Sequence, residues 1–150
     1  MRPTGDLPGA VLFACDHNAV RSPMAEAILK HLAGSRIYVD SAGVRAGEPD
    51  PFAAAVMDEI GIDLSRHVPK SLAALKDGSF DLIVSLSPEA HHKALQSAQG
   101  FAVDVEYWPT PDPTGLEGNR AQKLAAYREV CDGLFMRIRR RFAKGGAASG

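Results

Sequence analysis

Cysteine is scarce in this chain: two in 150 residues, Cys15 and Cys131, far apart. A disulfide framework is thereby excluded, and a reducing, cytoplasmic compartment is the natural expectation. Long apolar runs are also missing. None approaches the roughly 18 residues of a membrane span, and MRPTGDLPG at the start lacks the apolar stretch of a signal peptide. Charge of one sign is not in excess either. The formal net charge is −1, without the global basic surplus of a nucleic-acid binder. Arg137, Arg139, Arg140 and Arg141 cluster near the end, where the dipole of a closing helix accounts for them. No internal repeat or domain linker is visible.

What is present is an ordinary globular composition, 45% hydrophobic and 23% charged, sized for one core. Residues 1–9 read as a flexible lead, 10–143 as one domain, and 144–150 (KGGAASG) as a disordered tail. Apolar strands alternate with helical patterns. Strands are expected at Ala10–Ala14, Ile37–Ser41, Phe80–Leu86 and Ala102–Trp108. A first helix is expected from Ser22 as N-cap, with Pro23 in its first turn, to about Leu32. Asp50-Pro51 opens a second, with Phe52, Val56 and Ile60 on one face and Gly61 as its stop. A short helix over Ser71–Lys76, one from Ser87-Pro88-Glu89 to near Gly100, and one from Asn119 to Phe142 complete the pattern. Such alternation predicts an α/β domain in three layers, a parallel sheet with helices on both faces. Ligands of these sheets bind beyond the carboxyl ends of the strands.

One such end carries the chemistry. Cys15 closes the first strand, five residues separate it from Arg21, and a helix begins at once. Loop amides and a helix N-terminus converge there on an anion and favour a thiolate, the nucleophilic form. Arg21 supplies a planar fork for phosphate or another tetrahedral oxyanion. Asp112 lies in the loop PTPDPTG after the fourth strand, on the same sheet edge. It is placed to protonate a leaving oxygen and then to activate water. The segment Asp16, His17, Asn18, Ala19, Val20 and Ser22 would line the oxyanion site, Ser22 donating to the thiolate. Asn18 sits mid-loop, where a residue tolerant of left-handed backbone is useful. Other sites are weak. His91 and His92 are adjacent, so they point apart on a helix and lack a third ligand; Trp108 reads as a packing anchor for the Asp112 loop, and Cys131 as a small buried hydrophobe.

The stretches VLFACDHNAVRSPMAEA, VDSAG, GIDLSRH, FDLIVSL and EYWPTPDP together resemble the low-molecular-weight protein tyrosine phosphatase family, including its thioredoxin-coupled arsenate reductase branch. The resemblance spans nearly the whole chain. It implies a four-stranded sheet in the order 2-1-3-4, Cys15 as nucleophile, Arg21 as oxyanion clamp, Asp112 as general acid and Ser41 as support behind the loop. No metal or cofactor is implied. The expected function is hydrolysis of aryl phosphomonoesters, on a phosphorylated protein or small molecule, through a cysteinyl-phosphate. The alternatives are arsenate reduction with an external thiol (glutathione, mycothiol or glutaredoxin) and a non-catalytic oxyanion-binding module.

The chain also departs from the pattern. Val20 stands where the phosphatases usually carry a second cysteine that shields the nucleophile from irreversible oxidation. His17 replaces a glycine, and Asp16 brings a carboxylate beside an anion site, which weakens binding unless it is paired or turned away. Thr114-Gly115 follow Asp112-Pro113 in place of aromatic walls, leaving less apolar surface for a phosphotyrosine ring. Ser87 occupies the place of the first relay cysteine of the reductases, so a self-contained three-cysteine relay is excluded.

Overall fold

The computed structural model describes residues 7–75, 79–99 and 102–143. Four parallel strands form its centre: β1 (Ala10–Cys15), β2 (Tyr38–Gly43), β3 (Leu82–Ser85) and β4 (Asp104–Tyr107). Their order is β2-β1-β3-β4. β1 is therefore central, with Phe13 in register with Ser41 on one side and Val84 on the other. The helices are α1 (Arg21–Ala33), α2 (Pro51–Glu59), α3 (Pro88–Ala98) and α4 (Arg120–Phe142).

Alternation along β1 sorts its side chains between two cores. Val11, Phe13 and Cys15 face a large cluster that includes Met24, Ile28 and Leu29 of α1, Val56 and Met57 of α2, and Leu134 and Ile138 of α4. Leu12 joins a smaller cluster with Ile83 and with Ala94 of α3 on the opposite face. Phe13 is fully buried, and truncating such a residue to alanine costs about 3–5 kcal/mol.

Most elements lie where the periodicity places them, and the departures are local. Helix α1 begins at Arg21, with Val20 as its N-cap and no side-chain capping bond. Ser22 is thus not the cap; its hydroxyl is engaged by the thiol instead. Ile60 is the C-cap of α2 and is 44% exposed, not part of the buried face with Val56. The helix ends one residue before it, because Gly61 turns the chain with φ 79°. The helix expected over Ser71–Lys76 is instead a single 3-10 turn at residues 72–74 between extended Ser71, which bridges to Gly43, and extended Leu75; Lys76 and Gly100 lie outside the described residues. Residues 1–6 and 144–150 also lie outside; Leu7 packs against the larger core.

Caps elsewhere are well made. Asp50 accepts from the Phe52 and Ala53 amides and from the Tyr127 hydroxyl at 2.7 Å, tying α2 to α4. Asn119 and Gln122 form a reciprocal capping box at the start of α4.

Candidate functional site

β1 delivers Cys15 to the carboxyl edge of the sheet, and the chain turns through Asp16–Val20 into α1. The turn is held from outside. The carbonyls of Cys15, Asp16 and His17 accept from the amides of Val44, Arg45 and Gly47 at 2.9, 3.0 and 2.8 Å. Each carbonyl is antiparallel to the next N–H across a planar trans peptide, so the amides of residues 16–18 face the inside of the loop. Gly43 makes this close approach possible. A Cβ there would stand 2.7 Å from the Asn18 nitrogen and 2.6 Å from the Arg45 carbonyl oxygen.

Asn18 organises the inside of the turn. It is fully buried with φ 56°, a left-handed conformation that asparagine tolerates. Its Nδ2 donates to Ser22 Oγ at 2.8 Å and to Ser41 Oγ at 2.9 Å. Its Oδ1 accepts from the Lys70 amide and meets His67 Nε2, both at 3.0 Å. The Ser41 hydroxyl in turn donates to Glu26 Oε1. Ser22 Oγ lies 2.9 Å from Cys15 Sγ. Asn18, Ser22 and Ser41 are residues that the sequence already places at this loop, whereas His67 and Glu26 join it only in the fold. A histidine just after a glycine-stopped helix was the only signal.

The front of the loop carries charge. Arg21 is 6% exposed; its Nη1 donates to the Thr110 carbonyl at 3.0 Å and its Nη2 to Asp16 Oδ2 at 3.1 Å. Asp112 Oδ2 stands 3.8 Å from the same Nη2. The two loops therefore converge on one guanidinium, as their common sheet edge implied. Partial burial works upward on the Asp112 carboxyl. The amide and hydroxyl of Thr114, aided by Arg21 and His17, outweigh it and hold Asp112 below the usual carboxylate range. Asp16 is paired, not turned away: beyond Arg21, its Oδ1 accepts from the Ser87 hydroxyl at 2.6 Å. His17 is exposed, its backbone against Gly47. Ala19 is half-buried and Val20 buried against the core.

The remaining candidates have other employment. Trp108 is 3% exposed, edge-on to Phe13, beneath Arg137, and donates to Glu106 at 3.0 Å. The Trp108 and Thr110 amides pair with the carbonyls of Ser85 and Leu86, which carries strand order up to the Asp112 loop. Cys131 contacts Met57 at 3.6 Å, and burial pushes its thiol up to about 11. His91 bonds Ser85 and stacks on Tyr107, while His92 faces Gln96.

A thiol at the mouth of inward amides, with a guanidinium in front and a carboxyl from a second strand end, suits attack on tetrahedral oxyanions. Comparison with known proteins gives the family. Residues 10–144 match the model of the low molecular weight phosphotyrosine protein phosphatases, and the chain belongs to that family. An arsenate reductase of Bacillus subtilis (strain 168) is 32% identical over 129 residues, 86% of this chain and 91% of the relative. Among solved structures, a tyrosine phosphatase from Erwinia amylovora superposes with a TM-score of 0.75 at 22% identity, over 95% of each chain. An arsenate reductase in a phosphate-binding state gives 0.70 at 27% identity, over 89% of this chain and 96% of that one.

Proposed function

We propose that the chain reduces arsenate with the help of an external thiol. The observation that carries this reading is that Cys15 is the single cysteine at the loop. Of two cysteines, Cys131 is buried against Met57, and Ser87, on the side of the loop toward β3, offers Asp16 a hydroxyl. The similarity to arsenate reductases supports the oxyanion, and the lone cysteine supports the outside reductant.

The chemistry follows from the geometry. Arg21 and the inward amides hold the arsenate oxygens while the Cys15 thiolate attacks arsenic. One oxygen takes up protons, the last from Asp112, and leaves as water, giving a sulfur–arsenic(V) bond. An incoming thiol then attacks Cys15 sulfur. The sulfur–arsenic bond breaks with its electron pair retained by arsenic, which departs as arsenite, and Cys15 is left in a mixed disulfide. A second external thiol releases Cys15 and completes an exchange in which two thiols are oxidised and arsenic gains two electrons.

Phosphomonoester hydrolysis is the second reading, favoured by Asp112, which stands opposite the thiol loop where a general acid and water-activating base belongs. Both readings share the first attack and differ in what resolves the adduct. The experiment supplies arsenate with and without glutathione or glutaredoxin, and an aryl phosphate in parallel, to wild type and Cys15→Ser. Arsenite formed only with thiol and only by wild type is the expected result. Phosphate release without arsenite moves the function to phosphatase. Oxyanion binding with neither turnover leaves a binding module.

A further inference from the structure

The strongest unexplained feature is the carboxylate of Asp16, set directly on the oxyanion clamp. It is held on both oxygens, by Arg21 Nη2 at 3.1 Å and by Ser87 Oγ at 2.6 Å. Its side chain is 26% exposed, so it borders the open mouth of the loop. Around it stand Arg21 from α1, Asp112 3.8 Å from the same guanidinium nitrogen, and the neighbouring His17 and Cys15. Arg45 lies within electrostatic reach, but its guanidinium is bound to Glu89 at 2.7 Å. One buried cation therefore serves two carboxylates before any substrate arrives.

An oxyanion entering this loop meets Arg21 partly neutralised. Every negative charge it carries is repelled by the Asp16 carboxylate, which is bonded to the same guanidinium. A doubly charged oxyanion bears that repulsion twice and a singly charged one once. The carboxylates also accept hydrogen bonds and cannot donate them. A singly charged phosphate or arsenate has hydroxyl groups to give; a fully deprotonated oxyanion such as sulfate has none.

We infer that Asp16 is a specificity-determining residue, which makes the loop select singly charged, protonated tetrahedral oxyanions over doubly charged, fully deprotonated ones. The inference rests on the reading of Cys15–Ser22 as an oxyanion loop, but not on which reaction follows. Ser87 acts as a brace that keeps the carboxylate facing Arg21.

Binding of inorganic phosphate and of sulfate, measured by calorimetry at about pH 5.5, tests it, because phosphate is then mostly singly charged and sulfate doubly. The Cys15→Ser protein serves as parent, so that no thiolate charge intrudes. The parent is expected to prefer phosphate, and Asp16→Asn should reduce that preference roughly tenfold, mainly by tightening sulfate. Asp16→Ala, different in shape but equally uncharged, should shift the ratio the same way; near-ultraviolet circular dichroism of Trp108 verifies that each variant is folded. A ratio unchanged in both variants overturns the inference. So does equal weakening of both anions, which would make Asp16 a mere prop for Arg21. A parent that binds neither anion overturns the inference together with the oxyanion reading of the loop. A shifted ratio in a protein that forms no arsenite sustains the inference while the arsenate reading falls.

Discussion

The back and the front of the Cys15 loop are built on opposite plans. Behind it, Asn18, Ser22, Ser41 and Glu26 form a closed chain of hydrogen bonds, and His67 and the Lys70 amide complete it. No buried side-chain nitrogen or oxygen is left without a partner among the described residues. In front, Arg21 is divided between Thr110, Asp16 and Asp112, and the carboxylates remain open to solvent. A satisfied polar network resists change because each member lost leaves others unpaired in a dry site. A crowded cation is tunable, since any incoming anion rearranges it. The back holds the shape of the loop and the front sets what it accepts.

The sharpest break of that contrast is Cys15→Ser, which should lower turnover by about 10⁴-fold or more while leaving oxyanion binding intact. Steady-state rates beside calorimetric phosphate binding check it; loss of binding would mean that the thiol also shapes the cradle. Asp112→Asn should slow turnover by about 10²-fold, with little change in unfolding midpoint. A variant as fast as wild type would remove Asp112 from the chemistry.

The pH profile sharpens the front further. Asp112 must be protonated to serve as an acid, and its surroundings hold it below the usual carboxylate range. The step that needs its proton should therefore weaken as pH rises through that lowered value, and Asp112→Asn should flatten this limb. The stability linkage has the opposite sign: the ionised carboxylate favours the fold, and that small contribution fades on acidification through the folded value. On the back, Asn18→Ala should cost about 2–4 kcal/mol in denaturant unfolding, through the partners it strands. The smallest effect is expected for Cys131→Ala, about 1 kcal/mol of stability and unchanged turnover.

The division between back and front also decided how much the sequence disclosed. The alternation of strands and helices, the Cys15–Arg21 spacing and the arrival of Asp112 at the same sheet edge follow from local patterns plus the geometry of parallel sheets; the strand order comes from the family resemblance. Asn18 and Ser22 are legible from the loop that follows Cys15, whereas Ser41, inside β2, is reached only through the family resemblance. Local N-cap preference points to Ser22 as the cap of α1, yet it forms none, because the thiol beside it is a better partner. Its spacing places Ile60 on the face of Phe52 and Val56, but Gly61 ends the helix before that face is complete. The Asp16–Ser87 bond joins residues 71 apart, and no periodicity in a single chain reports which carboxylate a distant hydroxyl will meet. His67 escaped a role for the same reason.

The bond from Arg21 to Thr110 spans 89 residues, and that span has a consequence for synthesis. A ribosome releases the thiol loop early and the aspartate loop late. The large core that buries α1 is completed only by α4, which follows every other described element in the chain. A growing chain thus carries its nucleophile long before it has the acid, or the final helix that seats Trp108 beneath Arg137 and beside Phe142. The loop that follows β1 waits for later parts of the chain: residues 44–47 and Lys70 to hold its shape, and Thr110 to hold Arg21.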